Sequence, residues 1–355
     1  MKKSCFCSVA LSVFLIVSIF SFPMSAPAQH EPVEVTCMST PFGTPMYNAA
    51  AAFEDVFKKE GSWVKWKAQP TPGAMYIVRY FHENGEKMAS GQVNHVLCET
   101  STSTLGFMIE GWPPFQKYPV PHMKALFSSP AFVTFFSTFD PEIKTLKDLA
   151  GKKVGVAEKS RPFQSSLPNQ PYFDKGLGIW DKINLQYLGA INSKDAMLNN
   201  KVDAHYSTFK ARVDIAPDGT YVCSDMAPDT PTMELLNSGR KLHLIPYDPE
   251  IIKRSYDFSK DMALYPVLVK KGACDGIDQD IWGRCSIGVY VGDEYIPDDV
   301  LQEIIRVRHK YWNQLSKYHA TMKYFAENPY PSGTLKKWIH PGVEKAMKNL
   351  GFPLP

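Results

Sequence analysis

The chain has no second long apolar run, no strong excess of either charge and no familiar catalytic signature, and each absence removes a class of function. Lys and Arg number 39 against 36 Asp and Glu, a formal charge of +3. Loss of residues 1–28, argued below, removes Lys2 and Lys3 and no acid, so the charge becomes +3 − 2 = +1. A nearly neutral chain gives no reason to expect nucleic acid or an acidic membrane surface as partner. Gly-x-Ser-x-Gly, His-Glu-x-x-His, Gly-x-Gly-x-x-Gly and the phosphate-binding glycine loop are all missing. The nine histidines are scattered singly, no cysteine pair has zinc-type spacing, and the Asp298-Asp299 pair falls at a helix start. No catalysis, cofactor or metal is expected.

The apolar run that does exist is N-terminal. Lys2 and Lys3 precede Val9 to Phe22, and Ser25-Ala-Pro-Ala28 offers an A-x-A cleavage site. The run is short for a spanning helix and is followed by small residues, which predicts a cleaved export signal. Cys5 and Cys7 precede the run, where no lipid-bearing cysteine sits. The expected product begins near Gln29 and works in the periplasm as a monomer. Five cysteines remain in it, Cys37, Cys98, Cys223, Cys274 and Cys285. Export permits disulfides, and an odd count leaves a thiol over. Cys274 and Cys285 flank an Asp/Gly-rich loop and are the first choice for a bridge, which would contribute about 2–3 kcal/mol. Cys37 and Cys98 both end expected strands and are either neighbours or buried thiols.

About 327 residues suit two α/β lobes, and no repeat or flexible linker separates them. Val33–Cys37, Trp63–Lys67 and Val93–Cys98 read as strands. Between them lie helices opening at Thr44-Pro45, with Gly61 as its stop, and at Thr71-Pro72. Strand, helix, strand, helix, strand implies a parallel sheet. Phe132–Thr138 is apolar and β-prone, as a strand crossing between lobes should be. Beyond Asp140 come strands at 153–156, 185–188, 202–206 and 242–245, a short helix to Asn199, and a third Thr-Pro helix start at Thr230-Pro231. Ser286–Val291 returns the chain to the first lobe. Asp298 then caps a helix whose Leu301, Ile304, Ile305, Arg308, Tyr311, Trp312 and Leu315 make a packing stripe.

The stretch Ile143-Lys-Thr-Leu-Lys-Asp-Leu-Ala-Gly-Lys-Lys-Val-Gly-Val156 reads as a short helix, a turn and a strand. That unit is similar to the opening of the second lobe in type II periplasmic binding proteins. Thr40 to Tyr47, Thr145 to Val154, Lys201-Val-Asp-Ala204, Pro228 to Leu235, Leu242 to Pro246 and Ile296-Pro-Asp-Asp-Val300 extend the likeness. Through them nearly all of the mature chain resembles the TAXI family of receptors for tripartite ATP-independent periplasmic (TRAP) transporters. The resemblance implies a two-lobed α/β fold of the Venus flytrap kind. Each lobe would be a mostly parallel sheet flanked by helices, with the ligand cleft between them. Lobe 1 would hold 29–138 and 286–355, and lobe 2 would hold 139–285. The implied role is solute receptor: it binds a small organic anion (a carboxylate or an amino acid such as glutamate) and delivers it to TRAP permease subunits. One departure is clear. Where many members carry a Gly-Ser-Gly-Thr type anion loop, this chain has Glu158-Lys-Ser-Arg-Pro-Phe-Gln-Ser-Ser166. The alternatives are a receptor for an ATP-driven (ABC) importer of the nitrate, sulfonate or thiamine-precursor type, or a periplasmic enzyme on the same fold.

Ligands in open parallel sheets sit beyond the carboxyl ends of strands, where helix N-termini offer unpaired N–H groups and partial positive charge. On that basis the candidate ligand-binding residues are Thr40, Gly43, Thr44, Tyr47, Thr71, Gly73, Tyr76, Glu99 and Thr100 from the first lobe. The second supplies Arg161, Gln164, Ser165, Tyr206, Ser207 and Thr230. Arg161 is the sharpest of these, because a guanidinium grips a carboxylate with two parallel hydrogen bonds. Glu99 would hold a ligand amine or cap a helix.

Overall fold

The computed structural model describes residues 30–42, 44–159, 161–256 and 263–354. The expected export signal and its cleavage site lie outside the described residues, as does Gly43. Residues 32–355 form one compact unit.

The chain opens with β1 (Val33–Ser39), α1 (Pro45–Glu60), β2 (Val64–Pro70), α2 (Ala74–Ala89), β3 (His95–Ser101), α3 (Thr102–Glu110) and the long β4 (Met123–Thr138). It continues through β5 (Lys153–Val156), β6 (Asn184–Tyr187), α4 (Ala190–Leu198), β7 (Ala204–Ile215), β8 (Tyr221–Pro228), α5 (Thr230–Leu236), β9 (His243–Ile245) and α6 (Pro249–Ser255). It ends with β10 (Tyr265–Val269), β11 (Ile281–Asp293), α7 (Asp298–Tyr311) and α8 (Gly342–Asn349).

The architecture is α/β with helices flanking the sheet, as the sequence leads one to expect. The sheet contains two three-stranded parallel groups, β2-β1-β3 and β6-β5-β7. Between them β4 and β11 run antiparallel to each other, β11 bonding to β3 and β4 bonding to β7. These two strands are nearly continuously buried and rich in β-branched and aromatic residues. They contain the segments expected to cross between lobes, 132–138 and 286–291. Where their register shifts, Gly288 is required: a Cβ there would lie 2.2 Å from the Pro130 carbonyl oxygen.

Local chemistry sets the first helix. The Thr44 hydroxyl accepts from the Tyr47 N–H at 3.3 Å, and Gly61 ends α1 at φ 65°. Ala49, Ala50, Phe53, Val56 and Phe57 turn its apolar face into the core. There Phe127 stacks on Tyr290 at 4.6 Å, while Phe53 meets Tyr290 edge-on at 5.5 Å. Such pairs add about 0.5–1.5 kcal/mol each beyond their buried area. Of the expected stripe, Leu301, Ile304, Ile305 and Arg308 are buried on α7, whose cap is Pro297 with Asp298 the first helical residue. The helix ends at Tyr311, and Leu315 is buried in the 3-10 turn that follows, while Tyr311 and Trp312 are half-buried.

Three local expectations are corrected. Helix α2 begins at Ala74 with Gly73 as its cap, not at Thr71-Pro72. Thr71 instead donates its hydroxyl to the Ser39 carbonyl and accepts from the Gly73 N–H, which ties the ends of β1 and β2 together. The cap of α5 is Asp229, whose carboxylate accepts from the Thr232 N–H at 3.0 Å, so Thr230 is the first helical residue. A carboxylate adjoining the helix outcompetes the hydroxyl one position later. Finally, Cys274 and Cys285 are not bonded to each other; all five described cysteines are free thiols. Cys285 is locked mid-strand opposite Val133 and Tyr265, whereas the Cys274 thiol turns to the Asp275 carbonyl in its loop.

Candidate functional site

A cavity of about 540 Å³ opens beyond the carboxyl ends of β1, β2 and β3. One wall comes from the loops and helix starts that follow those strands: Ser39, Thr40, Thr44, Gly73, Tyr76 and Glu99 to Ser101. The facing wall comes from 158–168, including Glu158, Arg161 and Gln164, and from Tyr206 and Thr208 on β7. Phe132 and Thr134 of β4 and Ser286 of β11 complete it between the two parallel groups. A volume of this size accepts a small organic molecule.

The N-termini of α1, α2 and α3 all reach this space, through Thr44, through Gly73 and Ala74, and through Ser101 and Ser103. Gly73 adopts φ 128°, a conformation that a side chain would strain, and this lets α2 start immediately after its turn. The start of α3 carries a hydroxyl cluster. Ser101 Oγ lies 2.9 Å from Ser103 Oγ and 3.0 Å from Thr104 Oγ1, and Ser103 Oγ lies 2.9 Å from Ser286 Oγ. Helix N–H groups and hydroxyls together form a donor-rich surface for an anion.

Charge enters from both walls. Glu99 is engaged within the protein: its Oε1 accepts from Ser129 Oγ at 3.0 Å and from Lys210 Nζ at 2.9 Å. Lys210 also stands 3.5 Å above the Phe132 ring. Arg161 is exposed at the mouth. Burial raises the Asp229 carboxyl above its ordinary range, opposed by the hydrogen bonds from Thr232 and by the charge of Arg161. Behind the wall, Arg284 is buried, and its guanidinium donates to Tyr206 Oη at 2.9 Å.

Of the sequence candidates, Thr40, Thr44, Gly73, Tyr76, Glu99, Thr100, Arg161, Gln164 and Tyr206 line the cavity. Five described ones do not. Tyr47 turns to Phe42, with ring centroids 4.9 Å apart. Thr71 is spent on Ser39, and Thr230 lies exposed at the start of α5. The Ser165 hydroxyl is buried on the Arg161 carbonyl, and the Ser207 hydroxyl on Ser137. Sequence reading missed Ser101, Ser103 and Thr104 because it placed no helix after the third strand, and Ser286 because it was read only as the start of a crossing strand. The run Glu99-Thr-Ser-Thr-Ser-Thr104, rich in N-cap residues and followed by Leu105 to Ile109, was the available signal. Arg284 was missed because its partners Pro168, Asn169, Tyr206 and Tyr256 are remote in sequence.

Among the described residues, no group of three or more His, Cys, Asp and Glu side chains is placed to hold a metal ion. No described helix is long and apolar enough to cross a membrane.

The chain is similar to several solved structures. MatC from Rhodopseudomonas palustris, solved with malate bound, is 12% identical, with 90% of this chain and 98% of that one covered at a TM-score of 0.47. The periplasmic aliphatic sulphonate binding protein SsuA from Escherichia coli is 14% identical, with coverages of 90% and 84% and a TM-score of 0.41. A TctC solute binding protein from Polaromonas is 10% identical, with coverages of 90% and 88% and a TM-score of 0.45. No curated protein sequence matches the chain. The family model described as NMT1/THI5 like matches residues 115–231, from the loop after α3 through β4 to the start of α5.

Proposed function

We propose that the protein is an extracytoplasmic solute-binding receptor that closes over a small organic anion and hands it to a membrane importer. The convergence of three helix N-termini and a cluster of hydroxyls on one cavity, with Arg161 facing them, carries this reading. An anion there gains charge-assisted hydrogen bonds without a metal or any chemical step. In this reading 29–138 with 286–355 and 139–285 are the two lobes, and β4 and β11 are the hinge. Ligand contacts with both walls favour the closed form, which the importer recognises.

The NMT1/THI5-like match supports an ATP-driven importer of the nitrate, sulfonate or thiamine-precursor type as the recipient. A second reading, a TAXI receptor for an ion-coupled TRAP permease, has its own support in the sequence at 145–154 and 296–300. Gene neighbours separate the two: an ATPase with its permease, or large and small TRAP membrane subunits.

A thermal-shift screen of carboxylates, sulfonates and phosphate esters tests the ligand class. At least one anion should raise the melting temperature, and its uncharged amide or sulfone counterpart should not. Arg161→Ala should weaken the best anion by about 1.5–3 kcal/mol, at least tenfold in Kd. A cationic best ligand would end the anion reading.

A further inference from the structure

Arg284 lies behind the cavity wall, 1% exposed. One terminal nitrogen donates to the Pro168 carbonyl at 2.5 Å and to Tyr256 Oη at 2.9 Å. The other donates to Asn169 Oδ1 and to Tyr206 Oη, both at 2.9 Å. The Tyr256 hydroxyl spends its own proton on Pro168 O. Tyr206 differs. Its oxygen is occupied as an acceptor, and among the described residues its proton has no acceptor, while Tyr206 lines the cavity. A phenol that accepts from a guanidinium still has its proton to give, and toward an anion, which offers only acceptors, its role is to donate.

We propose that Arg284 is the positioning and specificity-determining residue of this site: it fixes Tyr206 as a hydrogen-bond donor aimed at the ligand and places a permanent positive charge behind it, so that the site selects an anion over its neutral isostere. The proposal rests on the receptor reading above and deepens it. Arg284 also grips Pro168 and Asn169, the end of the segment that carries Arg161 and Gln164 into the cavity. One buried cation thereby orients two parts of the wall without touching the ligand. A neutral ligand gains from the Tyr206 donor but not from the charge, so the two contributions are separable.

Titration calorimetry on the wild type, Tyr206→Phe, Arg284→Met and Arg284→Lys tests this, with malate, ethanesulfonate and ethyl phosphate as anionic probes and malamide and ethyl methyl sulfone as neutral ones. For whichever anion the wild type binds, Tyr206→Phe should weaken binding about 10- to 100-fold, the range of a hydrogen bond to a charged group. Arg284→Met should weaken the anion at least as much and shrink the ratio of anion to neutral affinity. Arg284→Lys, which keeps the charge, should restore part of that ratio; a merely structural role would leave the ratio unmoved. Wild-type binding of an anion with unchanged affinity in Tyr206→Phe overturns the proposal and leaves the receptor reading standing. Tyr206→Phe decides the case alone if Arg284→Met does not fold, since it leaves the bonds of Arg284 to Pro168, Asn169 and Tyr256 in place. If the wild type binds none of the anions, the proposal falls together with the ligand class on which it rests.

Discussion

Lys210→Met should be among the most damaging single changes outside the apolar core. Glu99 belongs to β3 and Lys210 to β7, and the crossing strands β11 and β4 lie between them. The ion pair therefore joins the two parallel groups at the base of the cavity. Its side chains are 5% and 13% exposed and meet at 2.9 Å. At an effective dielectric constant of 20 that separation corresponds to a gross attraction of about 6 kcal/mol. Desolvation of both ions offsets most of it in the intact protein, so the pair adds little net stability. Methionine changes the balance, because Glu99 keeps its desolvation and loses its counter-charge. Breaking a buried pair in this way costs about 3–5 kcal/mol. Glu99→Gln beside Lys210→Met should recover much of the loss, for both charges are then gone and Ser129 still has an acceptor. Guanidinium denaturation of the wild type, both single variants and the double variant gives the coupling energy directly. We expect more than about 1 kcal/mol of coupling. A Lys210→Met cost below about 1 kcal/mol, with no coupling to Glu99, would refute the view that this pair is desolvated and holds the two groups together.

Three further outcomes follow from the buried interior. Gly155→Ala should lower the melting temperature, because the new Cβ would lie 2.0 Å from Ser193 Oγ, which His205 Nδ1 holds at 2.7 Å; adding Ser193→Ala should restore part of the loss. Burial depresses the His205 pKa from 6.5 to about 4, so the unfolded chain binds the extra proton first and stability falls as pH drops from about 6.5 to about 4. The loss approaches about 3 kcal/mol at the acid end, at about 1.4 kcal/mol per pKa unit, and guanidinium midpoints at pH 7 and 4.5 should show it in the wild type but not in His205→Asn. Alkylation of the native protein followed by mass spectrometry should label Cys274 alone among the five described thiols, since the other four are buried, and a 2 Da deficit in unreduced protein would contradict their free state.

Much of the first parallel group was legible in the sequence because its signals are local. Thr44-Pro45, the Ala49–Phe57 face and Gly61 specify a helix without reference to anything distant. The strands 132–138 and 286–291 were legible for a similar reason, being continuous and β-prone, although their true extents are longer. Strands β8 and β10 escaped notice. Tyr221–Pro228 carries Ser224 and Asp225 and ends in proline, and Tyr265–Val269 has a proline at its second position; each is defined by the neighbour it pairs with. The site divides in the same way. Residues that follow strands, such as Thr40, Thr44 and Thr100, were reachable by rule. The Ser101–Ser286 hydroxyl cluster and the Arg284 network were not, because they unite groups as much as 183 and 116 residues apart in the chain. The expected disulfide failed on geometry that spacing does not reveal, since Cys285 faces a sheet interior shared with Val133 and Tyr265.

Titration calorimetry of the purified protein against small carboxylates, sulfonates and phosphate esters, with the ligand recovered afterward and weighed by mass spectrometry, tests the central claim most directly. A receptor of the kind described here binds one such anion saturably at a single site, binds it at least about tenfold more weakly in Arg161→Ala, and returns the compound chemically unchanged. Binding of a cation in preference to every anion, or recovery of a transformed product, would contradict the account.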